Sequence, residues 1–155
     1  MLFKHYYSQL FKYNHWATKE TIESIKKLTQ PSERIISIIS HIIAAQQLWF
    51  NRIIDDKSTL KPWEVYTVDE CLKKSDEITL RWINFLEHTS DDGLEKVIHY
   101  TNTVGDKYEN TVKDILTHVI NHSSYHRAQI ALLVKDAGGK PAVTDYIVYQ
   151  RSISS

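Results

Sequence analysis

The sequence contains few of the residues that interrupt or cross-link a small protein: one cysteine, three prolines and four glycines among 155 residues. A single cysteine, Cys71, cannot form a disulfide within the chain, which excludes the disulfide-rich secreted domains. Neither charge is in excess, with 19 basic and 19 acidic residues. The composition therefore does not favour binding to nucleic-acid phosphates, and we expect a cytoplasmic protein without a nucleic-acid partner.

Long apolar runs are also missing. No run approaches the roughly 18 residues of a membrane-spanning helix, and the longest, residues 35–48, is interrupted by polar side chains. The N-terminus is aromatic and lacks the cleavage site of a signal peptide. We expect no membrane association. The composition, 42% apolar and 25% charged, is typical of a globular protein, and the length predicts one domain over residues 1–155.

Four long segments between the glycines and prolines show helical periodicity. The predicted helices run from about Tyr6 to Leu28, from an N-cap at Ser32 to about Ile54, from about Asp69 to Glu87, and from about Asn110 to Ala137. The first half of the second helix is apolar on all sides, which is typical of a helix inside a bundle. Gly138-Gly139, followed by Pro141, indicates the end of the last helix. The predicted fold class is all-α, a four-helix bundle.

Two shorter segments have features of β-structure. Val97–Thr101 and Lys107–Glu109 alternate in character, and their connection contains Asn and Gly, so we predict a small β-hairpin before the last helix. Two strands alone are marginally stable in water, so the hairpin must pack on the bundle. The tail, Val143–Tyr149, is aromatic and β-branched, and we expect it to pack back on the bundle as an extended segment.

Histidine is the residue type with an unusual arrangement. Of eight histidines, His118, His122 and His126 stand four residues apart. Positions four apart lie on one face of a helix, about one turn from each other, so His122 and His126 can direct two imidazoles at one point. Val119 and Ile130 lie on the same side of the helix, which places this pair toward the bundle interior or its mouth.

His41 is the candidate third ligand, because it lies within the apolar stripe of the second predicted helix. One ligand from one helix and an i, i+4 pair from a facing helix is a known design of metal sites in bundles. Three imidazoles suit Zn, Ni, Fe, Co or Cu rather than Mg or Ca. We expect Zn or Ni first, with Fe, Co or Mn as alternatives. Three protein ligands also leave coordination positions open, as in catalytic sites.

Other kinds of catalytic site are not indicated. Ser123 follows His122, so the His-Glu-x-x-His pattern of zinc peptidases, which includes a general base, is absent. Ser123 and Ser124 also lack the strand-turn-helix context of a nucleophilic serine. Cys71 has no histidine three or four residues away, and we interpret it as a packing residue.

Four stretches of the chain carry the motifs of one known family. They are Tyr13-Asn14-His15-Trp16-Ala17, the segment from His41 to Trp49, the segment from His118 to Ile130, and the segment from Gly138 to Tyr149. They resemble the motifs of the DinB family, within the DinB/YfiT-like metalloenzymes. The third stretch is the most specific, although Ala128 stands where the family often has Gly. The resemblance covers nearly the whole chain.

The resemblance implies a bundle of up-down-down-up topology, commonly a homodimer, that holds a divalent metal with three histidines. Carried over by position, the ligands are His41, His122 and His126, and His118 is a neighbour of the site. Relatives in the family include thiol-dependent S-transferases and isomerases, so the resemblance selects no single reaction.

We therefore expect a metal-dependent enzyme, a hydrolase or a thiol-dependent S-transferase, acting on a small thiol or another small molecule. The ion would lower the pKa of a bound water toward about 7 or activate a thiol. We expect Trp16, Trp49 and Tyr125 to line the pocket, and Tyr125 and Asn14 to orient the substrate. Two alternatives stay open: a homodimeric bundle that binds a metal or small ligand without turnover, and a metal-free structural dimer.

Overall fold

The computed structural model describes residues 3–155. The described chain contains six helices and one two-stranded sheet. In chain order they are α1 (Phe3–Lys26), α2 (Glu33–Ile53), α3 (Val68–His88), α4 (Asp91–Leu94), β1 (Val97–Thr101), β2 (Lys107–Thr111), α5 (Val112–Asp136) and α6 (Tyr146–Ile153). The four long helices, α1, α2, α3 and α5, confirm the predicted bundle. Within this part of the chain, none of the helices combines the length and the apolar character needed to cross a membrane.

Three of the long helices begin at a hydroxyl cap. The caps are Ser32 for α2, Thr67 for α3 and Thr111 for α5. Glu70 and Asp114 complete reciprocal capping boxes in the last two. Each cap accepts a hydrogen bond from a backbone N–H that the helix itself leaves without a partner, so the local sequence determines where the helix begins.

Two glycines end α5. Gly138 has a φ of +82°, and the N–H groups of Gly138 and Gly139 donate to the carbonyls of Lys135 and Val134. Glycine adopts this left-handed conformation without a steric penalty, and the two bonds satisfy carbonyls at the helix end. The predicted end of the helix is confirmed.

The contacts between helices define their directions. α1 packs antiparallel to α3 and parallel to α5, whereas α2 packs parallel to α3 and antiparallel to α5. For example, Tyr7 and Asn14 of α1 contact Thr117 and Arg127 of α5, in the same order along both helices. The up-down-down-up topology is therefore confirmed.

The core has two apolar ends and a polar layer between them. Phe11, Phe50 and Trp82 lie in the core of one end, whereas Ile22 and Ile39 lie in the core of the other. On each long helix, buried polar side chains lie between the residues that contribute to the two ends. We call the following six residues the middle layer: Asn14, Thr18, Gln46, Ser75, Ser123 and Arg127. A buried polar layer needs internal hydrogen bonds, because water is excluded from it.

The hairpin before the last long helix is confirmed. β1 and β2 pair antiparallel, from Val97 opposite Thr111 to Thr101 opposite Lys107. β2 thus continues two residues beyond the predicted Glu109. Ile98 is buried and joins the apolar end that contains Trp82 (a residue of α3), so the hairpin packs on the bundle as expected.

The tail packs back on the bundle as predicted, but its predicted extended conformation was wrong. The structure has helix α6 from Tyr146 to Ile153, in place of an extended segment reaching Tyr149. The rings of Tyr146 and Tyr149 pack on α1, where Tyr13 contacts both. β-branched composition is a weak guide to conformation when tertiary contacts decide what a segment packs against.

Candidate metal centre

Three imidazoles from two helices converge at one place. His41 on α2, and His122 and His126 on α5, each offer one ring nitrogen, and these three atoms lie within 4.8 Å of one another. His41 is 7% exposed, and the other two side chains are partly buried. Within residues 3–155, no other trio of His, Cys, Asp or Glu side chains comes together in this way. These are the three residues that the sequence selected.

Two carbonyl oxygens orient the rings. Nδ1 of His41 lies 2.6 Å from the backbone oxygen of Pro62, and Nδ1 of His126 lies 2.8 Å from Oε1 of Gln129. Because such oxygens only accept hydrogen bonds, we infer that both Nδ1 atoms carry the proton. Nε2 of His41 and of His126 is then left with a free lone pair. A ligating histidine usually donates its other ring N–H in this way.

The distances fit a transition metal. Nε2 of His41 and Nε2 of His122 face each other at 3.0 Å, where either a proton or a cation must separate the two nitrogens. Nitrogen ligands about 2.0–2.1 Å from Zn lie about 3.3 Å apart in a tetrahedral site. The separations in the cluster, 3.0 Å for one pair and at most 4.8 Å for the others, bracket this value. The residues present therefore fit the ion that the sequence motif implies.

Burial favours the neutral form of the rings. Burial first, and then the neighbouring rings of His126, His41 and His118, lower the pKa of His122 to about 3. Burial also lowers the pKa of His41, partly offset by its hydrogen bond to Pro62. A neutral imidazole is the form that binds a metal, so His122 needs to lose no proton at neutral pH before it can ligate.

Two exposed aromatic side chains flank the cluster. The Trp63 ring stacks on His41 with 3.8 Å between ring centroids and 8° between planes, while 54% of Trp63 is exposed. Tyr125 packs edge-on against His126 at 5.1 Å and is 65% exposed. Tyr125 was expected here. Sequence reasoning missed Pro62 and Trp63, since they lie in the loop between α2 and α3, where no periodicity indicates the direction of a side chain.

His118 and Trp49 lie beside the cluster. His118 is exposed and its ring lies 5.4 Å from that of His122, but it is not one of the three convergent residues. Trp49 packs edge-on against His118 at 4.9 Å, so the row of ring contacts between α2 and α5 continues beyond the cluster.

Two other residues that were expected at the candidate site, Trp16 and Asn14, lie elsewhere in the bundle. Trp16 packs against Tyr13 and Tyr149, and none of its described ring contacts is with the three histidines. Asn14 belongs to the middle layer, where its Oδ1 accepts a hydrogen bond of 2.5 Å from Arg127. Asn14 therefore supports a buried arginine, rather than facing the cluster as a substrate-orienting group would.

Fold and site together define a class of protein: a four-helix bundle with three convergent histidines, one on the second long helix and an i, i+4 pair on the last. A comparison with protein families agrees with this description. The model of the DinB family matches residues 1–154. The chain belongs to the DinB family.

Individual relatives support this assignment. Protein DinB from Bacillus subtilis (strain 168) is 26% identical over 159 residues, a match that covers 91% of each chain. The crystal structure of a DinB-like protein from Bacillus cereus superposes with a TM-score of 0.67 at 17% identity, covering 88% of this chain and 94% of the other. A DinB-like protein from Bacillus subtilis gives 0.63 at 19% identity, with coverages of 88% and 95%. These two structures show the shared fold.

Proposed function

We propose that this protein is a metal-dependent enzyme in which His41, His122 and His126 hold a divalent transition metal, Zn or Ni first. The observation that carries the proposal is the convergence of three ring nitrogens within 4.8 Å. A bound ion would supply a Lewis acid able to activate a small thiol or a water molecule. Three protein ligands leave positions open for such a molecule.

The surroundings of the cluster favour a thiol over water as the reacting group. Many metal-dependent hydrolases add a general base within hydrogen-bond reach of the attacking water, beyond the effect of the ion on its pKa. Among residues 3–155, the three histidines hydrogen-bond to Pro62, to Gln129 and to each other, and to no carboxylate. A thiol loses its proton far more readily than water does, so an S-transferase needs no such base. Trp63 and Tyr125 would bind the apolar part of the substrate.

We further propose that two copies of the chain associate as a homodimer. Large apolar side chains remain exposed on the described surface, among them Leu132, Val143 and Ile147. Burying such side chains against a second copy would remove apolar area from water. Light scattering coupled to size exclusion should give twice the mass of one chain, and a monomeric mass at micromolar concentration would contradict this part of the proposal.

Metal content is the first test of the site. Protein purified without an affinity tag should bind about one Zn or Ni per chain, and His41→Ala, His122→Ala and His126→Ala should each weaken binding by roughly tenfold or more. His118→Ala is the matched control, because it removes a histidine from the same face of α5 but outside the trio. Equal metal retention in all four variants would contradict the three-ligand site.

Turnover is the second test. The metal-loaded protein should catalyse conjugation of a small thiol to an electrophile, and His122→Ala should abolish this activity. Ester or amide hydrolysis without thiol conjugation would show a hydrolase in its place. Tight metal binding without any turnover would show a binding protein and overturn the enzymatic proposal.

A further inference from the structure

Arg52, near the end of α2, is a charged side chain in an unusual setting. Its guanidinium is flanked by two aromatic rings, 4.3 Å from the ring centroid of Trp49 and 4.5 Å from that of Tyr100. The side chain is half-buried. Within residues 3–155, no carboxylate lies within ion-pair distance of it and no described hydrogen bond uses its N–H groups. The ring contacts account for its position, but its charge has no anionic partner.

Side chains of α2 and α5 link Arg52 to the histidine cluster. It follows His41 by 11 residues on α2, which places the two on the same face of the helix, about 16 Å apart along its axis. On α5, the His118 ring contacts both Trp49 and His122. A continuous row of side chains therefore joins the arginine to the candidate metal centre.

Arg52 also lines a cleft of about 380 Å³. Leu48, Leu60 and Tyr100 supply the apolar part of a lining that is otherwise polar or charged. Two other charges in the cleft are already paired, since Lys57 forms an ion pair with Asp55. The cleft thus combines a mostly polar lining, with apolar contact from two leucines and a tyrosine, and one cation, Arg52, that forms no ion pair within residues 3–155.

The geometry of the guanidinium selects the kind of anion. Aromatic rings beside a guanidinium leave its N–H groups, which lie in its plane, able to donate two parallel hydrogen bonds, the arrangement that a carboxylate accepts. A dianionic phosphate fits less well, because Asp56 lines the same cleft without an ion-pair partner in the described chain and would repel two negative charges more strongly than one. A ligand with a single negative charge is therefore favoured.

We propose that Arg52, held between Trp49 and Tyr100, binds the carboxylate of a small substrate or thiol whose other end reaches the histidine cluster. The claim that the ligand reaches the histidine cluster rests on the proposed function. The claim that Arg52 binds a carboxylate does not rest on it, and can be tested in protein without metal.

The first experiment uses metal-free protein and two probes of equal length, hexanoate and hexanamide, followed by the NMR signal of the Trp49 indole N–H. Hexanoate should bind about tenfold more tightly than hexanamide. Arg52→Gln should remove this difference, and Arg52→Lys should restore part of it, because lysine keeps the charge without the planar pair of donors.

The matched control is Arg81→Gln. Arg81 also lies over an aromatic ring, that of Phe50 at 4.4 Å, but it is exposed on α3 and does not line the Arg52 cleft. This variant should keep the preference for hexanoate. Equal binding of the two probes by the unsubstituted protein, or the same preference in Arg52→Gln, would overturn the site. Tighter binding of methyl phosphate than of hexanoate would overturn the assignment to a carboxylate.

The second experiment uses Zn-loaded protein and a series of mercaptocarboxylates of increasing chain length, each compared with the mercaptoalcohol of the same length. A preference for the acid should appear at one chain length and be lost in Arg52→Gln, with Zn content unchanged. A preference independent of length would show that the two ends are not bridged. Failure of the protein to bind Zn would contradict the proposed function alone, since the metal-free experiment does not depend on it.

Discussion

The apolar ends of the bundle and its middle layer bury side chains in opposite ways. At one end, Phe11 stacks on Trp82 at 4.8 Å, and Phe50 packs against the same indole at 4.8 Å with the rings nearly perpendicular. In the middle layer, Arg127 is only 3% exposed, yet its guanidinium is held by neutral oxygens and not by a carboxylate in the described chain. Apolar contact stabilises the ends, whereas the middle layer depends on hydrogen bonds.

Buried polar atoms without a partner are concentrated in the middle layer. In the described chain they are Oε1 of Gln46, Oγ of Ser123 and Nε of Arg127, together with Nε1 of Trp82 at one end. An unpaired buried polar group costs about 1–3 kcal/mol. Ser123 and Arg127 alternate with His122 and His126 along α5, so the less stable layer lies beside the candidate metal centre. The apolar ends therefore supply the stability that the layer beside the site lacks.

The largest expected effect is at an apolar end. Trp82→Ala should lower the free energy of unfolding by about 3–5 kcal/mol, because it leaves a cavity between Phe11 and Phe50. Urea denaturation measures the loss, and metal content of the folded fraction should not change. Trp82→Phe is the control: it keeps an aromatic ring and removes the unpaired N–H, so the loss should be below about 1.5 kcal/mol. A loss of less than roughly 1 kcal/mol for Trp82→Ala would contradict the conclusion that apolar contact stabilises the ends of the bundle.

In the middle layer, unlike at the apolar ends, a second substitution should restore the stability that the first one removes. Asn14→Leu alone should lower the free energy of unfolding by about 3 kcal/mol, because it deprives the buried Arg127 of its shortest hydrogen bond. Asn14→Leu combined with Arg127→Met should be about as stable as the unsubstituted protein, or more so, since the apolar pair needs no hydrogen bonds. Urea denaturation of all four proteins gives the coupling. Additive losses would contradict the dependence of this pair on the hydrogen bond between Asn14 and Arg127.

The smallest expected effect on folding concerns Cys71, in the other apolar end. Burial raises the pKa of this thiol to about 11 from its ordinary value of 9.0, against the hydrogen bond with Ser40. At pH 8 its thiolate fraction should be about 100-fold smaller in the folded than in the unfolded protein, so iodoacetamide should react at least that much more slowly without urea. Because the folded protein resists ionisation, the contribution of Cys71 to stability is full below pH 9 and is lost as the pH rises to 11. Rapid alkylation at pH 8 would contradict the buried position.

Local signals predicted much of the fold and most of the candidate site. Ser32 and Thr67 are caps whose partners lie within one turn, and the glycine pair after α5 acts on the same scale. The spacing of His122 and His126 is equally local, since helical geometry alone places both on one face. The prediction of His41 as a ligand depended on a second signal, the position of a polar residue within an apolar stripe.

Contacts between distant segments were not predictable in this way. The tail is helical because Tyr146 and Tyr149 pack on α1, and Trp63 lies on His41 because a loop returns across α2. Asn14 belongs to a family motif, but its partner, Arg127, is 113 residues away.

The amino-acid sequence alone determined the four helices, where they begin, and which three histidines lie on apolar faces, because these properties depend on neighbours within one or two turns. Only the tertiary structure brought those histidines within 4.8 Å, placed Arg52 between two rings and away from the carboxylates of the described chain, and set the buried polar residues into one layer. These features depend on which helices pack together and in which direction. That choice is made by the whole core rather than by any one segment.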